Sequence, residues 1–271
     1  MQLFLFAASL IVGTRIFFVT RHALKMNANS NAQRTYSARS LHGKVVHELG
    51  RRIVSGQLRE NEILPNEAEL GSEFEVSRTA LREGIKVLTA KGLLVSRTRT
   101  GTRVRPRLEW NMLDPDIMAW RMESSQGGNF LQDLIEFRRA TEPMAASLAA
   151  VRATDAQLAI MTKELDRMAA VAPDVHAMVD PDMRFHRAIL EASGNELLAS
   201  LSSSMETTLA TSVPRCEPEK MFEAVRAHRA VLDAIRARDS VAASEAMFAL
   251  LDGAIEWNQE NDETVGKRTV A

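Results

Sequence analysis

Three side chains in the second half of the sequence could together bind a metal ion. Asp182 and His186 are four residues apart, so on a helix they lie on one face, one turn apart. His228 follows in a later stretch of helical apolar spacing. A carboxylate and two imidazoles suit Zn²⁺, or Ni²⁺ or Mn²⁺, with coordination positions left open. By themselves, however, such residues on helices are more often explained by a surface ion pair or a structural core histidine.

A second group of residues has the chemistry to bind DNA. Between Ser77 and Arg107 the sequence holds nine lysines and arginines and one acid, Glu83, although the whole chain has a net charge of -1. The excess is therefore local, as on a surface that neutralises phosphates. A solvated charged face is the alternative, which this one-sided balance disfavours. The nine cations are Arg78, Arg82, Lys86, Lys91, Arg97, Arg99, Arg103, Arg105 and Arg107.

The elements that must position these cations follow the pattern of a winged helix-turn-helix. Apolar residues recur at helical spacing from Leu41, and Ser77 is suited to cap the helix that follows it. Gly92 provides the C-terminal stop of that helix, and two short strands then flank Gly101. The predicted elements are helices beginning at 41, over 67–74 and over 78–91, and strands over 93–95 and 102–104.

The order of these elements predicts which residues contact DNA. The second helix of a helix-turn-helix enters the major groove with its N-terminal residues nearest the base edges. Arginine there can donate to guanine O6 and N7, and threonine can reach a phosphate or a thymine methyl. A glycine at the wing tip lets the backbone approach the duplex. The predicted DNA-binding residues are Ser77, Arg78, Thr79 and Arg82 on the helix, and Arg99 and Gly101 at the wing.

The remainder of the chain indicates a mainly α-helical protein of two domains. Its 271 residues, 45% of them hydrophobic and 25% charged, are typical of a globular protein of that size. Breaks in the apolar periodicity after about residue 128 predict six or seven antiparallel helices in a bundle. The predicted boundaries are an extension over 1–35, the winged helix-turn-helix over 36–107, a linker over 108–128, the helical domain over 129–260 and a tail over 261–271.

The first residues differ from the rest of the chain. An apolar run is interrupted by Arg15 and is too short to span a bilayer, so we expect residues 1–25 to be an upstream extension from a misassigned start codon. A membrane anchor is the alternative. A single cysteine, Cys216, excludes an intrachain disulfide and fits a reducing cytoplasm.

The basic segment LPNEAELGSEFEVSRTALREGIKVLTAKGLL, with its wing, resembles the GntR family of bacterial transcription regulators. In that family the pattern carried here by Arg78, Thr79 and Arg82, with the wing glycine, contacts operator DNA. The family usually has an arginine where this chain has Ala68, so one expected DNA contact has no counterpart here.

The helical half resembles the FCD effector domain of the FadR subfamily, in the segments PDMRFHRAILEASGNELL and RAHRAVLDAIRARDSVAASEAM. The resemblance implies that Asp182, His186 and His228 bind a divalent metal, most simply Zn²⁺, which helps hold a small carboxylate effector. A further histidine of the family corresponds to Leu250, which leaves three protein ligands. Arg138 matches an FCD arginine that would bind the effector; a pair with Glu142, one turn on, is the alternative.

These observations predict a homodimeric, cytoplasmic transcription regulator, a repressor released from operator DNA by a small organic acid. The segment WNMLDPDIMAW resembles the linker of galactonate-operon repressors, which implies a sugar acid such as galactonate. The alternative is a metal-dependent enzyme acting on a small organic acid. It is disfavoured because no general base or nucleophile motif accompanies the three metal-ligating residues.

Overall fold

A computed structural model of the chain describes residues 40–97, 101–124, 127–172, 174–202 and 218–253. The extension over 1–35, Arg99, Cys216 and the tail over 261–271 lie outside the described residues. In the described part the protein is mainly α-helical with one two-stranded sheet, so the predicted fold class is confirmed.

The first three helices are those expected from the sequence. They are α1, Leu41–Val54, α2, Glu67–Phe74, and α3, Arg78–Ala90. Each begins at a residue whose side chain accepts backbone N–H groups of the first turn: Ser40, Asn66 and Ser77. Such caps satisfy donors that have no partner inside the helix, which sets where each helix starts.

The wing is an antiparallel hairpin of β1, Leu94–Arg97, and β2, Gly101–Val104. Its register pairs Leu94 with Val104 at the base and Arg97 with Gly101 near the tip. Gly101 has φ +82°, a conformation that side chains rarely adopt, so glycine is required there.

The core of the DNA-binding unit extends beyond the wing. A short 3₁₀ helix, Arg107–Glu109, leads to α4, Pro115–Glu123. Trp110, Ile117 and Trp120 are buried in the same cluster as the apolar residues of α1 and α3. A Cβ on Gly50 of α1 would lie 2.3 Å from the Trp120 ring, so glycine permits this close approach. The predicted linker therefore contains a helix packed on the DNA-binding unit, while the domain boundaries themselves stay a prediction.

A buried ion cluster also attaches α4 to α3. Lys91, the C-cap of α3, places its Nζ 2.8 Å from carboxylate oxygens of both Asp114 and Asp116. The side chains are 6%, 14% and 8% exposed. Asp114 is also the N-cap of α4. Lys91 was predicted to be one of the nine cations that neutralise DNA phosphates, and the structure instead places it inside the protein.

The second half is a bundle of helices. They are α5, Gly127–Arg152, α6, Asp155–Val171, α7, Val175–Ala192, the short α8, Glu196–Ser200, α9, Pro218–Arg236, and α10, which is described over 240–253. Predicted breaks recur at Thr154, Asn195 and Asp239, each of which accepts backbone N–H groups of the next helix.

The core of this bundle combines small and flexible side chains. Ala145, Ala146, Ala149 and Ala150 line one side of α5 and are fully buried, which lets neighbouring helices approach closely. Met161, Met168 and Met178 fill the space between helices, as expected of adaptable apolar side chains. Within the described ranges, none of the helices combines the length and apolar character needed to cross a membrane.

Candidate metal centre and DNA-binding surface

Helices α7 and α9 bring the three predicted metal ligands together. Asp182 and His186 face the same side of α7, and His228 reaches them from α9. His228 Nε2 is 2.9 Å from Asp182 Oδ1 and 3.3 Å from His186 Nε2. His186 Nε2 is 3.8 Å from the same Asp182 oxygen. One donor atom from each residue therefore converges on a common point.

The spacing of these donors fits a metal ion. Donors bound to Zn²⁺ at about 2.0–2.1 Å in a tetrahedral arrangement lie about 3.4 Å from one another. The three observed separations, 2.9, 3.3 and 3.8 Å, bracket that distance. Two nitrogens and one oxygen are ligands that Zn²⁺, Ni²⁺ and Mn²⁺ accept, and three protein ligands leave room for water or an exogenous group.

Both histidines are held with Nε2 turned toward that point. His228 Nδ1 lies 2.7 Å from the Ala224 carbonyl oxygen, one helical turn earlier, to which it can donate. His186 Nδ1 lies 2.6 Å from Glu142 Oε2 on α5. A proton on each Nδ1 leaves each Nε2 with the lone pair that a metal needs. Both Nδ1 contacts are thus compatible with ligation through Nε2, for which His228 Nε2 must give up the proton that it directs at Asp182.

The surroundings bury both histidines and leave the Asp182 side chain the most exposed of the three. The Phe185 ring is fully buried and meets both imidazoles edge to face, with centroids 6.0 Å from His186 and 5.2 Å from His228. The histidine side chains are 4–5% exposed, and the Asp182 side chain is 25% exposed. An incoming ligand would therefore reach the site on the side of the carboxylate.

Arg138, the predicted effector-binding residue, is buried beside the centre. Its Nε donates to Glu142 Oε1 at 2.6 Å, so the i, i+4 pair weighed as the alternative is present. Its Nη2 also lies 3.4 Å from His186 Nε2. The two interpretations of Arg138 are thus compatible, because an arginine held by Glu142 still faces the metal ligands.

The carboxylates at this centre are ionised. Burial raises the pKa of Glu142, but the charges and hydrogen bonds of Arg138 and His186 outweigh it and lower the pKa to about 2. Burial likewise opposes ionisation of Asp182, yet the hydrogen bond from His228 and the nearby positive groups hold the pKa of Asp182 well below its usual range. In the form that ligates a metal both imidazoles are neutral, and one arginine and two carboxylates then leave one net negative charge, which favours a cation.

Sequence reasoning gave Glu142 no part in the metal centre and considered it only as a partner of Arg138. Its i, i+4 spacing from Arg138 on α5 was the available signal. Its contact with His186 joins α5 to α7, and no local pattern encodes that contact.

The predicted DNA-binding residues of α3 lie at an exposed helix start. Ser77 Oγ accepts from Ala80 N at 3.2 Å, and Arg78 and Thr79 are exposed on the first turn. Arg82 is exposed too, and its guanidinium makes a two-point contact with the Glu67 carboxylate of α2 at 2.9–3.0 Å. An exposed ion pair of this kind is weak, so a phosphate or base edge can replace the carboxylate.

At the wing, Gly101 begins β2 and Arg99 lies outside the described residues. Two other wing cations have partners within the protein. Arg103 Nη1 donates to the Asn61 carbonyl oxygen at 2.7 Å, and Arg105 Nε donates to Glu109 at 2.7 Å. Among the described residues, the exposed cations of this unit include Arg78 and Arg82 on α3 and Arg97 and Arg103 on the wing.

The sequence and the fold match known proteins of one family. The family model described as "Bacterial regulatory proteins, gntR family" matches residues 41–104, and the model of the FCD domain matches residues 133–253. A similar protein, the uncharacterized HTH-type transcriptional regulator YieP of Escherichia coli, is 34% identical over 82% of this chain and 96% of its own. The chain belongs to the GntR family of transcription regulators.

Other members of the GntR family match over similar lengths. The galactonate operon transcriptional repressor of Escherichia coli is 34% identical over 77% of this chain and 92% of its own. The repressor NanR of Cronobacter sakazakii is 30% identical over 80% of this chain and 85% of its own. These relatives are regulators rather than enzymes, which decides against the metal-dependent enzyme considered above.

Solved structures support the same fold. The structure of Lar, which is described as controlling expression of the Listeria monocytogenes agr system, superposes with a TM-score of 0.57 at 18% identity. The superposition covers 83% of this chain and 99% of the Lar chain. FCD domains bind metals, and the three converging donors of this GntR protein lie within its FCD domain.

Proposed function

We propose that this protein represses transcription by binding operator DNA, and that a small carboxylate bound at a metal in the FCD domain releases it. The observation that carries the proposal is the convergence of Asp182, His186 and His228 beside Arg138, in a chain that also has an exposed basic helix start. A DNA-binding surface and a separate ligand site are the two parts that a ligand-responsive regulator needs.

The DNA-binding part of the proposal rests on α3 and the wing. Ser77, Arg78, Thr79 and Arg82 would meet the major groove, and Gly101 with Arg99 would follow the adjacent backbone. The N-terminus of α3 adds backbone N–H groups that favour a phosphate. Binding to DNA also implies a location in the cytoplasm, where a bacterial chromosome lies.

The effector part rests on charge. With both imidazoles neutral, a divalent ion bound by Asp182, His186 and His228 would give the centre one net positive charge. Such an ion would supply a positive charge that a carboxylate can bind, and Arg138 would supply N–H donors, so a carboxylate would neutralise the centre and contact both. An adjacent hydroxyl could take a second open position, which favours a hydroxy acid of the sugar-acid class such as galactonate. The galactonate operon repressor among the relatives supports this choice.

The proposal includes a homodimer. Two copies of the basic helix would contact two half-sites of a pseudo-palindrome about one helical turn apart. An effector acts by binding one dimer geometry more tightly than the other, and the released geometry no longer matches the half-site spacing.

The decisive experiment combines metal analysis with DNA binding. Operator sequences are selected from a random DNA library, and fluorescence anisotropy then follows their release during titration with galactonate, other sugar acids and chloride. We expect about one divalent ion per protomer, and release by a sugar acid only when the ion is present. Complete release from a protein stripped of metal by a chelator would contradict the metal part of the proposal. Failure to select any DNA sequence would contradict the proposed binding to operator DNA.

A further inference from the structure

The buried carboxylate of Glu142 is the centre's second acidic group. Its side chain is 2% exposed, and its oxygens contact both Arg138 and His186. Oε1 accepts from Arg138 Nε at 2.6 Å, and Oε2 lies 2.6 Å from His186 Nδ1 and 3.4 Å from Arg138 Nη2. A buried, ionised carboxylate is stable only when both oxygens contact hydrogen-bond donors or cations. Loss of either contact would therefore destabilise the ionised form of Glu142.

Glu142 is placed where it cannot act as a fourth ligand of the same ion. The three converging donors include Nε2 of His186, whereas Glu142 contacts Nδ1, on the other side of that ring. The metal would therefore lie on one side of the imidazole and Glu142 on the other. A carboxylate this close to Nδ1 stabilises the imidazole form that carries its proton on Nδ1, and that form has an unprotonated, more basic Nε2.

The same carboxylate determines where Arg138 lies. Held by Glu142, the guanidinium has its Nη2 3.4 Å from His186 Nε2, on the side that the metal would occupy. A metal held at Nε2 would use the lone pair that this N–H faces. The N–H would then be available to another acceptor next to the ion. Glu142 keeps Arg138 within reach of that acceptor, and its carboxylate neutralises the guanidinium charge beside a divalent cation.

We propose that Glu142 is the positioning residue of the metal centre: it fixes His186 in the tautomer that binds metal through Nε2, and it anchors Arg138 at the edge of the ion. This inference rests on the proposed metal site and adds to it a residue that acts through its neighbours. Loss of such an outer carboxylate lowers metal affinity by about 10- to 100-fold in proteins generally.

The experiment measures Zn²⁺ affinity of the purified full-length protein by competition with a chromophoric chelator. Glu142→Gln should bind Zn²⁺ about 10- to 100-fold more weakly than the wild type. The matched control is Glu164→Gln. Glu164 is also buried, at 4% exposed, and also pairs with an arginine of its own helix, Arg167, but it has no contact with the three ligands in the described structure. Its substitution should leave Zn²⁺ affinity unchanged.

A second pair of variants separates the two contacts of Glu142 and avoids a buried arginine without its partner. Arg138→Met should retain Zn²⁺ binding, and Arg138→Met with Glu142→Gln should again bind about 10- to 100-fold more weakly than Arg138→Met alone. If the additional loss disappears when Arg138 is absent, Glu142 acts only through the arginine, and the proposed role toward His186 is wrong.

A measurement that needs no metal gives the third test. Nitrogen NMR of histidine-labelled protein reports which imidazole nitrogen carries the proton in the metal-free state. We expect the Nδ1–H form of His186 to dominate in the wild type and to give way to a mixture in Glu142→Gln. Identical spectra together with identical Zn²⁺ affinities would refute the role of Glu142 while leaving the metal site intact. A wild-type protein that binds no Zn²⁺ would instead remove the proposed effector site.

Discussion

Replacement of Lys91 by methionine should strongly destabilise the DNA-binding unit. Methionine keeps much of the length and apolar volume of the side chain but removes the ammonium group. That group lies 2.8 Å from oxygens of both Asp114 and Asp116. The variant would leave two nearly buried carboxylates side by side without their shared cation.

The magnitude follows from the burial of this cluster. Removing one partner of a buried ion pair costs about 3–5 kcal/mol, because the remaining charge stays out of water. We expect the lower end, about 3 kcal/mol, since Asp114 is 14% exposed and can gain some hydration. For a unit of 60–100 residues each kcal/mol shifts the melting temperature by about 4–8 °C, so a decrease of more than about 10 °C should be visible.

The assay is thermal unfolding of the full chain, with hydrogen exchange to localise the effect to α3 and α4. Lys86→Met is the matched control. Lys86 is on the same helix and has the same 2.8 Å contact with a carboxylate, Glu83, but its side chain is 71% exposed. That variant should change stability by at most about 1 kcal/mol. Equal melting temperatures for the two variants would refute the argument from burial. Recovery of part of the loss by Lys91→Met with Asp116→Asn would support it.

Three further outcomes are expected. Arg78→Ala should weaken operator binding, measured by anisotropy, by roughly 1–3 kcal/mol and relax the preference at one base position. The control Arg226→Ala, on the effector domain, should change neither. Unchanged affinity and specificity of Arg78→Ala would show that the recognition helix is misassigned. His228→Ala should lower metal content and blunt the effector response but preserve DNA binding without effector, and a full response from this variant would exclude the metal from signalling. Acidification toward about pH 5–6 should release the metal, because protonated imidazole cannot ligate; metal content that stays constant through this range would contradict ligation by histidine.

Local signals in the sequence predicted the helices well. Ser77, Thr154 and Asn195 each precede a helix, and capping depends only on residues two or three positions away. For the same reason Asp182 and His186 could be placed on one face of a helix before the structure was considered. Their approach to His228 depends on how α7 packs against α9, and the sequence indicated it only through resemblance to a family.

The charge pattern was less informative than the helix-capping residues. The excess of lysine and arginine between residues 77 and 107 located the DNA-binding segment, but it did not tell which cations reach the surface. Lys91 caps the C-terminus of α3 and contacts Asp114 and Asp116 at the start of α4, and these aspartates come more than twenty residues later in the chain. The contact of Glu142 with His186 was hidden for the same reason, since it depends on packing between helices that are distant in sequence.

The packing of α4 determines where the DNA-binding unit can be separated as an independently folding fragment. A fragment that stops at residue 107, where the helix-turn-helix pattern ends in the sequence, would lose Trp110, Ile117 and Trp120 from its core and both partners of Lys91. Each large apolar side chain removed from a core takes away about 1.5–3 kcal/mol, which together approaches the whole stability of a small domain. The smallest self-sufficient DNA-binding fragment should therefore run to Glu123. A chimera that transfers this DNA specificity to another effector domain should be joined after α4.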